Sequence, residues 1–437
     1  MNLIQAKKTI GKVKWYKQGG GVKFLYICYP WLACSLMKMY GIKIPVKYKV
    51  IFHIKNDFMD DYISKDSLKK VALFYHKKQM QNREFIGDLI SNWHRDMVVP
   101  FLAINREIAD ADFSKFDQKE FLRIHDKFNK IYMSVWHEAI FLDGFDYYGE
   151  YLLEEFLKKE AKNIRTSDLD LLLIPPQPSF TQKERIAIFK LARKVLRNEE
   201  MKKDIIDEKR YDMFSERYPQ IKKELEKIST DFYWMHNDFA IVGYLDPDHY
   251  YNSLREILSS EKGIDEEKEM TQSLKSLKVS KRKVVKKYNL SPEFVNLTDF
   301  LAVLGNFRDE RKSYNQMAGN SIKKFALEFA MRSGVELKLI ESLTFWELAS
   351  IFKDKNKLVK IAKDRMRGVT YLEDAKITNN IFYGQSAADL NEFLNEGMKN
   401  KIKLKGRVAF PGIVVGTAKI VKDKNDFYKM KKGDILV

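Results

Sequence analysis

Between about Ser64 and Lys355 the sequence carries one stripe after another of apolar residues at helical spacing, and little in it would stop a helix. Ile188, Leu191, Ala192 and Val195 fall at i, i+3, i+4 and i+7, and Ile322, Phe325, Ala326, Phe329 and Ala330 form a second stripe. Across all 437 residues there are only 10 prolines and 20 glycines, which disfavours a turn-rich all-β fold. Thr181-Gln182-Lys183-Glu184 reads as a capping box, and so does Thr344 to Glu347, with Leu343 placed to act as a staple. Pro175-Pro176-Gln177-Pro178 ends the Leu-rich run Leu169 to Ile174 and reads as a rigid loop between helices.

The two ends have a different grammar. In residues 1–55, Lys12 to Gln18 and Val22 to Tyr29 read as strands joined by a turn at Gly19-Gly20-Gly21, and Val46 to Ile54 as a third strand. The triple glycine is no phosphate loop, because no GxxxxGK[ST] pattern follows it. Residues 56–372 are expected to form the helical body. Residues 373–400 are less regular and read as a hinge or linker, and residues 401–437 return to strands around a Pro-Gly turn. The expected fold class is mainly α, a multi-helix body with a small N-terminal β element and a β-rich C-terminal segment. The length suits roughly two to four domains.

Charge and composition bound the function. The formal net charge is +18 and hydrophobic residues make up 45%, as in a globular chain with a lysine-rich surface. Glu261 to Lys287 runs from acidic to basic and reads as an exposed helix pair or excursion. Its lysines lack interleaved aromatics, so nucleic acid is not the expected partner there. The most hydrophobic segment, Phe24 to Met37, is shorter than the roughly 20 residues that a membrane span needs, and Pro30 interrupts it. No membrane is expected. Cys28 and Cys34 have no metal-ligand spacing, and a reducing cytoplasm fits them.

Three places could carry chemistry. On a helix, Arg308, Arg311 and Lys312 share one face, which Asn315 extends, and guanidinium forks with a nearby ammonium suit phosphate. The alternative is a solvated face balanced by Asp309 and Glu310. His236 and Asp238, two residues apart, would diverge on a helix, so His236 reads as structural. The pairs Trp93-His94 and Trp136-His137, with Glu138, read as core-packing residues, and HExxH is absent.

The last stretch, Lys405 to Val437, resembles the start of the swivelling phosphohistidine domain of the phosphoenolpyruvate-utilising enzymes. The resemblance lies in Gly406, Phe410-Pro411-Gly412, Gly416 and the closing Gly433-Asp434-Ile435-Leu436-Val437. Further motifs extend it back to Asp168: Asp168 to Glu184, Tyr233-Trp234, the helix Arg308 to Lys312, and Leu343 with its capping box. Arg308 and Lys312 match the R-E-x-x-K helix of the substrate domain in phosphoenolpyruvate synthase and rifampicin phosphotransferase relatives. Asp309 stands where glutamate is more usual, and Arg311 has no matched counterpart.

The resemblance implies a phosphotransferase (kinase or dikinase-like) in which a histidine-bound phosphoryl group passes from a nucleotide site to a small-molecule acceptor. This chain would hold the acceptor-side domain, with Arg308, Lys312 and Arg311 facing phosphate, and the root of a truncated carrier domain. The carrier histidine would lie beyond Val437, and no stretch resembles the ATP-grasp domain. ATP and Mg²⁺ belong to the complete enzyme, and a separate ATP-grasp domain or subunit is implied as partner; the isolated chain is expected to be inactive. The alternatives are a non-catalytic binding or regulatory scaffold, and a basic nucleic-acid-binding helical protein.

Overall fold

The computed structural model describes residues 2–35, 44, 48–208, 210–260, 265–374, 377–398, 414–421 and 428–437. Residues up to Phe393 form one compact unit, and those from Leu394 onward form a second. The fold is mainly α with one antiparallel sheet. The N-terminal half comprises α1 (Leu3–Ile10), β1 (Trp15–Gly21), α2 (Phe24–Ser35), β2 (Val50–Lys55), β3 (Phe58–Ser64), α3 (Lys65–Gln81), α4 (Phe85–Trp93), a π-helical turn (His94–Val98), α5 (Val99–Asp110), α6 (Gln118–Ala139), α7 (Leu142–Glu160) and α8 (Thr166–Leu173). There follow α9 (Phe180–Val195), α10 (Glu199–Asp207), α11 (Tyr211–Arg217), α12 (Pro219–Phe232), α13 (Pro247–Ser260), α14 (Glu266–Tyr288) and α15 (Pro292–Ser333). The chain closes with α16 (Leu337–Ile340), α17 (Lys355–Met366), β4 (Val369–Asp374), β5 (Ile377–Tyr383), α18 (Gln385–Met398), β6 (Ala418–Lys419) and β7 (Ile435–Leu436).

The spine of the molecule is α15. Its 42 residues make it roughly 60 Å long. Ser291 caps its first turn by accepting from Phe294 N, Pro292 occupies a position where no amide is needed, and Gly334 ends it at φ +61°. Phe325, Ala326 and Phe329 of the expected stripe are buried in the main core, as is Ile322. The α9 stripe, Ile188 to Val195, is buried too, but in a separate smaller core built by α9 to α13. Helix α9 starts two residues earlier than expected. Ser179 and Gln182 form its capping box, and Glu184 instead accepts from Tyr250 OH at 2.9 Å. Glu347 does reach back to Thr344 N at 2.9 Å, but a short 3-10 helix, Leu348–Phe352, follows.

The sheet corrects several expectations. Its strand order is β1-β3-β2-β4-β5, so segments more than 300 residues apart in sequence pair side by side. Glu373 to Asn400 therefore does not read as a bare linker, since its described residues finish β4, make β5 and form α18. The β element is not confined to residues 1–55 either, and Phe58–Ser64 adds a strand within the expected helical body. Val22 to Tyr29 is not a strand. Phe24–Ser35 is a helix whose residues up to Cys34, except Leu32, are all buried. With every side buried no periodicity survives, and a short apolar run of this kind reads equally well as a core strand. Trp31 stacks on Tyr371 at 4.8 Å and lies 4.9 Å from Phe52, which seats α2 on the sheet.

The three glycines lie within β1, and the hairpin turn is at Asn56 and Asp57, both with positive φ. A β-carbon at Gly19 would sit 2.5 Å from Met59 O, whereas one at Gly20 would meet open space. Gly19→Ala is accordingly expected to lower stability by about 1–2 kcal/mol through overpacking. Gly20→Ala should cost nothing measurable, and chemical denaturation of the two variants separates them.

The charged stretch Glu266–Tyr288 is a single helix among the described residues, with a left-handed cap at Asn289. At the C-terminal end, β6 and β7 pair in parallel, matching the strand grammar around Gly416 and Asp434. Gly406 and Phe410-Pro411-Gly412 lie outside the described residues. No described helix is long and apolar enough to cross a membrane.

Candidate functional site

The expected cationic stripe lies on the middle of α15, where α6, α7 and α9 surround it. Arg308 and Lys312 are both exposed, one turn apart. The Arg308 guanidinium donates to Asp146 of α7 through Nη1, and the fork has further N–H donors. The Lys312 ammonium lies 6.0 Å from the centre of the Phe180 ring, and among the described residues it makes no ion pair. Asn315, the next residue of the stripe, accepts from Tyr132 OH at 2.6 Å.

Arg311 is placed differently from expectation. Its side chain is 12% exposed and is held by Asp143 at 3.1 Å and by the carbonyl of Ala139 at 3.1 Å, over the Trp136 ring at 5.2 Å. The guanidinium ties α15 to the α6–α7 corner, and its donors are turned to the protein. Burial raises the Asp143 carboxyl above its ordinary pKa, with Arg311 pulling the other way. Two cations are left to face solvent.

Three segments distant in sequence meet beside these cations at Phe180. Its backbone N–H donates to Asp309 at 2.8 Å, and its ring packs on Trp234 at 5.4 Å. The proline loop is fastened to α15 alongside, because Asn306 accepts from Gln177 N at 3.0 Å and donates to Gln177 O at 2.8 Å. Burial raises the Asp309 carboxyl, against the Phe180 amide and the charges of Lys183, Lys312 and Arg308. Asp309 therefore fastens the start of α9 beside these cations by accepting a backbone bond.

Glu310 faces elsewhere. Two residues along a helix is about 200° round it, away from the Arg308 stripe. It accepts from Tyr314 OH at 2.7 Å and pairs with His94 Nε2 at 2.9 Å, at the start of the π-helical turn. Burial would raise its carboxyl, but the bonds from His94 and Tyr314 hold it below the ordinary value. His94 is thus a half-exposed partner of a carboxylate, not core packing. Trp93 and Trp136 are buried as expected.

His236 is exposed on a turn, its ring 5.5 Å from that of His249, and it makes no dyad with Asp238. Asp238 instead accepts from the amides of Ala240 and Ile241. Among the described residues no group of three or more His, Cys, Asp or Glu side chains is placed to hold a metal ion. Asp143, Asp146 and Phe180, which pair with or pack beside Arg311, Arg308 and Lys312, carry no sequence signal of their own. Their part depends on helices packing across 120 to 170 positions.

No family model, no curated protein and no solved structure matches this chain.

Proposed function

We propose that the chain is the acceptor-side part of a phosphotransferase of the phosphoenolpyruvate-utilising type, with Arg308 and Lys312 receiving the phosphoryl group. One observation carries this reading. The motif segments Asp168 to Glu184, Tyr233-Trp234 and Arg308 to Lys312, which carry part of the resemblance to that family, meet at Phe180. Chance matches scattered along a helical chain have no reason to meet at one place beside two exposed cations.

In such a transfer the N–P bond to a carrier histidine breaks as an O–P bond to the acceptor forms, and charge spreads over the equatorial oxygens. Arg308 would give those oxygens a planar fork and Lys312 a point charge. Asp146 holds the guanidinium in place before the phosphoryl group arrives. Arg311 acts as a positioning residue for the same helix face. ATP and Mg²⁺ would act at a nucleotide site outside this chain.

The test uses phosphoramidate, the smallest N-phosphoryl compound, titrated calorimetrically into the intact chain. Arg308→Ala and Lys312→Ala are each expected to weaken binding about tenfold, as loss of a charge-assisted bond implies. Their unfolding temperatures should stay unchanged because both side chains are exposed. Equal affinity in the native-like double variant would remove the assignment.

A further inference from the structure

A second basic site lies on the same compact unit, between α1, the start of α3 and the exposed side of α7. It is a groove of about 970 Å³ lined by Lys8, Lys12, Lys14, Lys49, Lys65 and Lys69. All of these except Lys49 are exposed. Asp66 is the single carboxylate in the lining, and it is paired with Lys70 at 2.8 Å. The first turn of α3 adds the positive end of a 17-residue helix.

Aromatic rings interleave with these charges. Tyr147, Tyr148 and Tyr151 form the α7 wall. The Lys65 ammonium lies 6.0 Å from the Tyr147 ring and that of Lys69 5.3 Å from the Tyr148 ring. Tyr148 and Tyr151 stack at 5.2 Å, and Tyr151 is 49% exposed, so its ring is accessible from solvent.

We infer that this groove binds single-stranded nucleic acid. A rail of lysines that tracks phosphates, beside rings on which bases stack, is what sequence-tolerant single-strand binding requires. A free nucleoside triphosphate fits less well. Such a ligand is usually bound with Mg²⁺ held by carboxylates, and the only one here already has a lysine partner. The inference does not rest on the phosphotransferase reading, and the groove shares no lining residue with the Arg308 and Lys312 stripe.

The probe is a fluorescein-labelled oligouridylate of about 12 nucleotides, followed by anisotropy with the intact chain. Engagement of about five phosphates implies roughly a 100-fold loss of affinity between about 50 and 200 mM salt. The pair Lys65→Glu with Lys69→Glu should weaken binding at least tenfold, and Lys65→Gln with Lys69→Gln serves if the glutamates disturb folding. Tyr151→Ala should cost about tenfold, the low end of a lost base stack. Lys278→Glu with Lys283→Glu on α14 should change nothing. The inference is overturned by absence of binding at low salt, or by lysine variants that bind as tightly as the native chain. It is also overturned if Tyr151→Ala is silent or heparin, which has no bases, shows the same loss, since either marks general polyanion attraction.

Discussion

Replacing Arg365 by alanine is expected to destabilise the protein by about 3–5 kcal/mol, the cost of stranding one partner of a buried ion pair. The Arg365 side chain is 4% exposed and donates to both carboxylate oxygens of Glu347, at 2.6 and 2.8 Å. It also reaches Ser342 O at 3.3 Å and lies over the Phe24 ring at 5.0 Å. One guanidinium thus joins α17, the turn after α16, and α2. Burial would raise the Glu347 carboxyl, but Arg365 and Thr344 hold it low. That contribution is present above the ordinary glutamate pKa of about 4.3 and is lost as pH falls through the lower folded value. Arg365→Ala should therefore flatten the acid limb of the stability curve as well as lower the plateau. Arg365→Met with Glu347→Gln should cost clearly less than the sum of its single changes, because no charge is left stranded. Additive losses in urea denaturation would show that the pair is not coupled.

Arg365 also shows where the sequence is readable and where it is not. It ends a charged helix that looks solvent-facing in isolation, and only the fold places it against Glu347 and Phe24. Helices with one wet side were legible, as Ile188 to Val195 and Ile322 to Phe329 show, because their period survives. Helix α2 was not, since burial on nearly every side erases the period. Strand β3 hid because Asp60 and Asp61 sit in its middle, and Asp61 is buried against expectation for its type. Strand β5 and the end of β4 resembled a linker because β2, on which β4 pairs, lies more than 300 positions earlier. On α15, i,i+4 spacing found Arg308 and Lys312. It could not find that Arg311 turns inward, since that depends on Asp143 and Trp136 arriving from α6 and α7. The lysine groove left no trace at all, because short segments from residues 8–14, 49, 65–69 and 147–151 make it together.

Asp61 supplies the second large effect, and its sign is opposite to that of Glu347. It lies on β3 opposite Phe52 and 3% exposed. Gln18 donates to one oxygen at 2.7 Å, and the other has no partner. Burial pushes the carboxyl up to about 7, opposed by the Gln18 bond and assisted by the charge of Asp143. The folded state therefore binds a proton that the unfolded chain, with an aspartate pKa of about 3.9, releases earlier. Stability from this group is fully present below about pH 4, falls as pH rises, and is gone above the folded pKa. Asp61→Asn keeps an oxygen for Gln18 and removes the ionisation. Near pH 3.5 the two proteins should be similarly stable, whereas at pH 8.5 the asparagine variant should be more stable by about 4 kcal/mol. Denaturation midpoints across that range measure it. Parallel curves for the two proteins would show that Asp61 stays ionised when folded, and its unpartnered oxygen would then need another source of stabilisation.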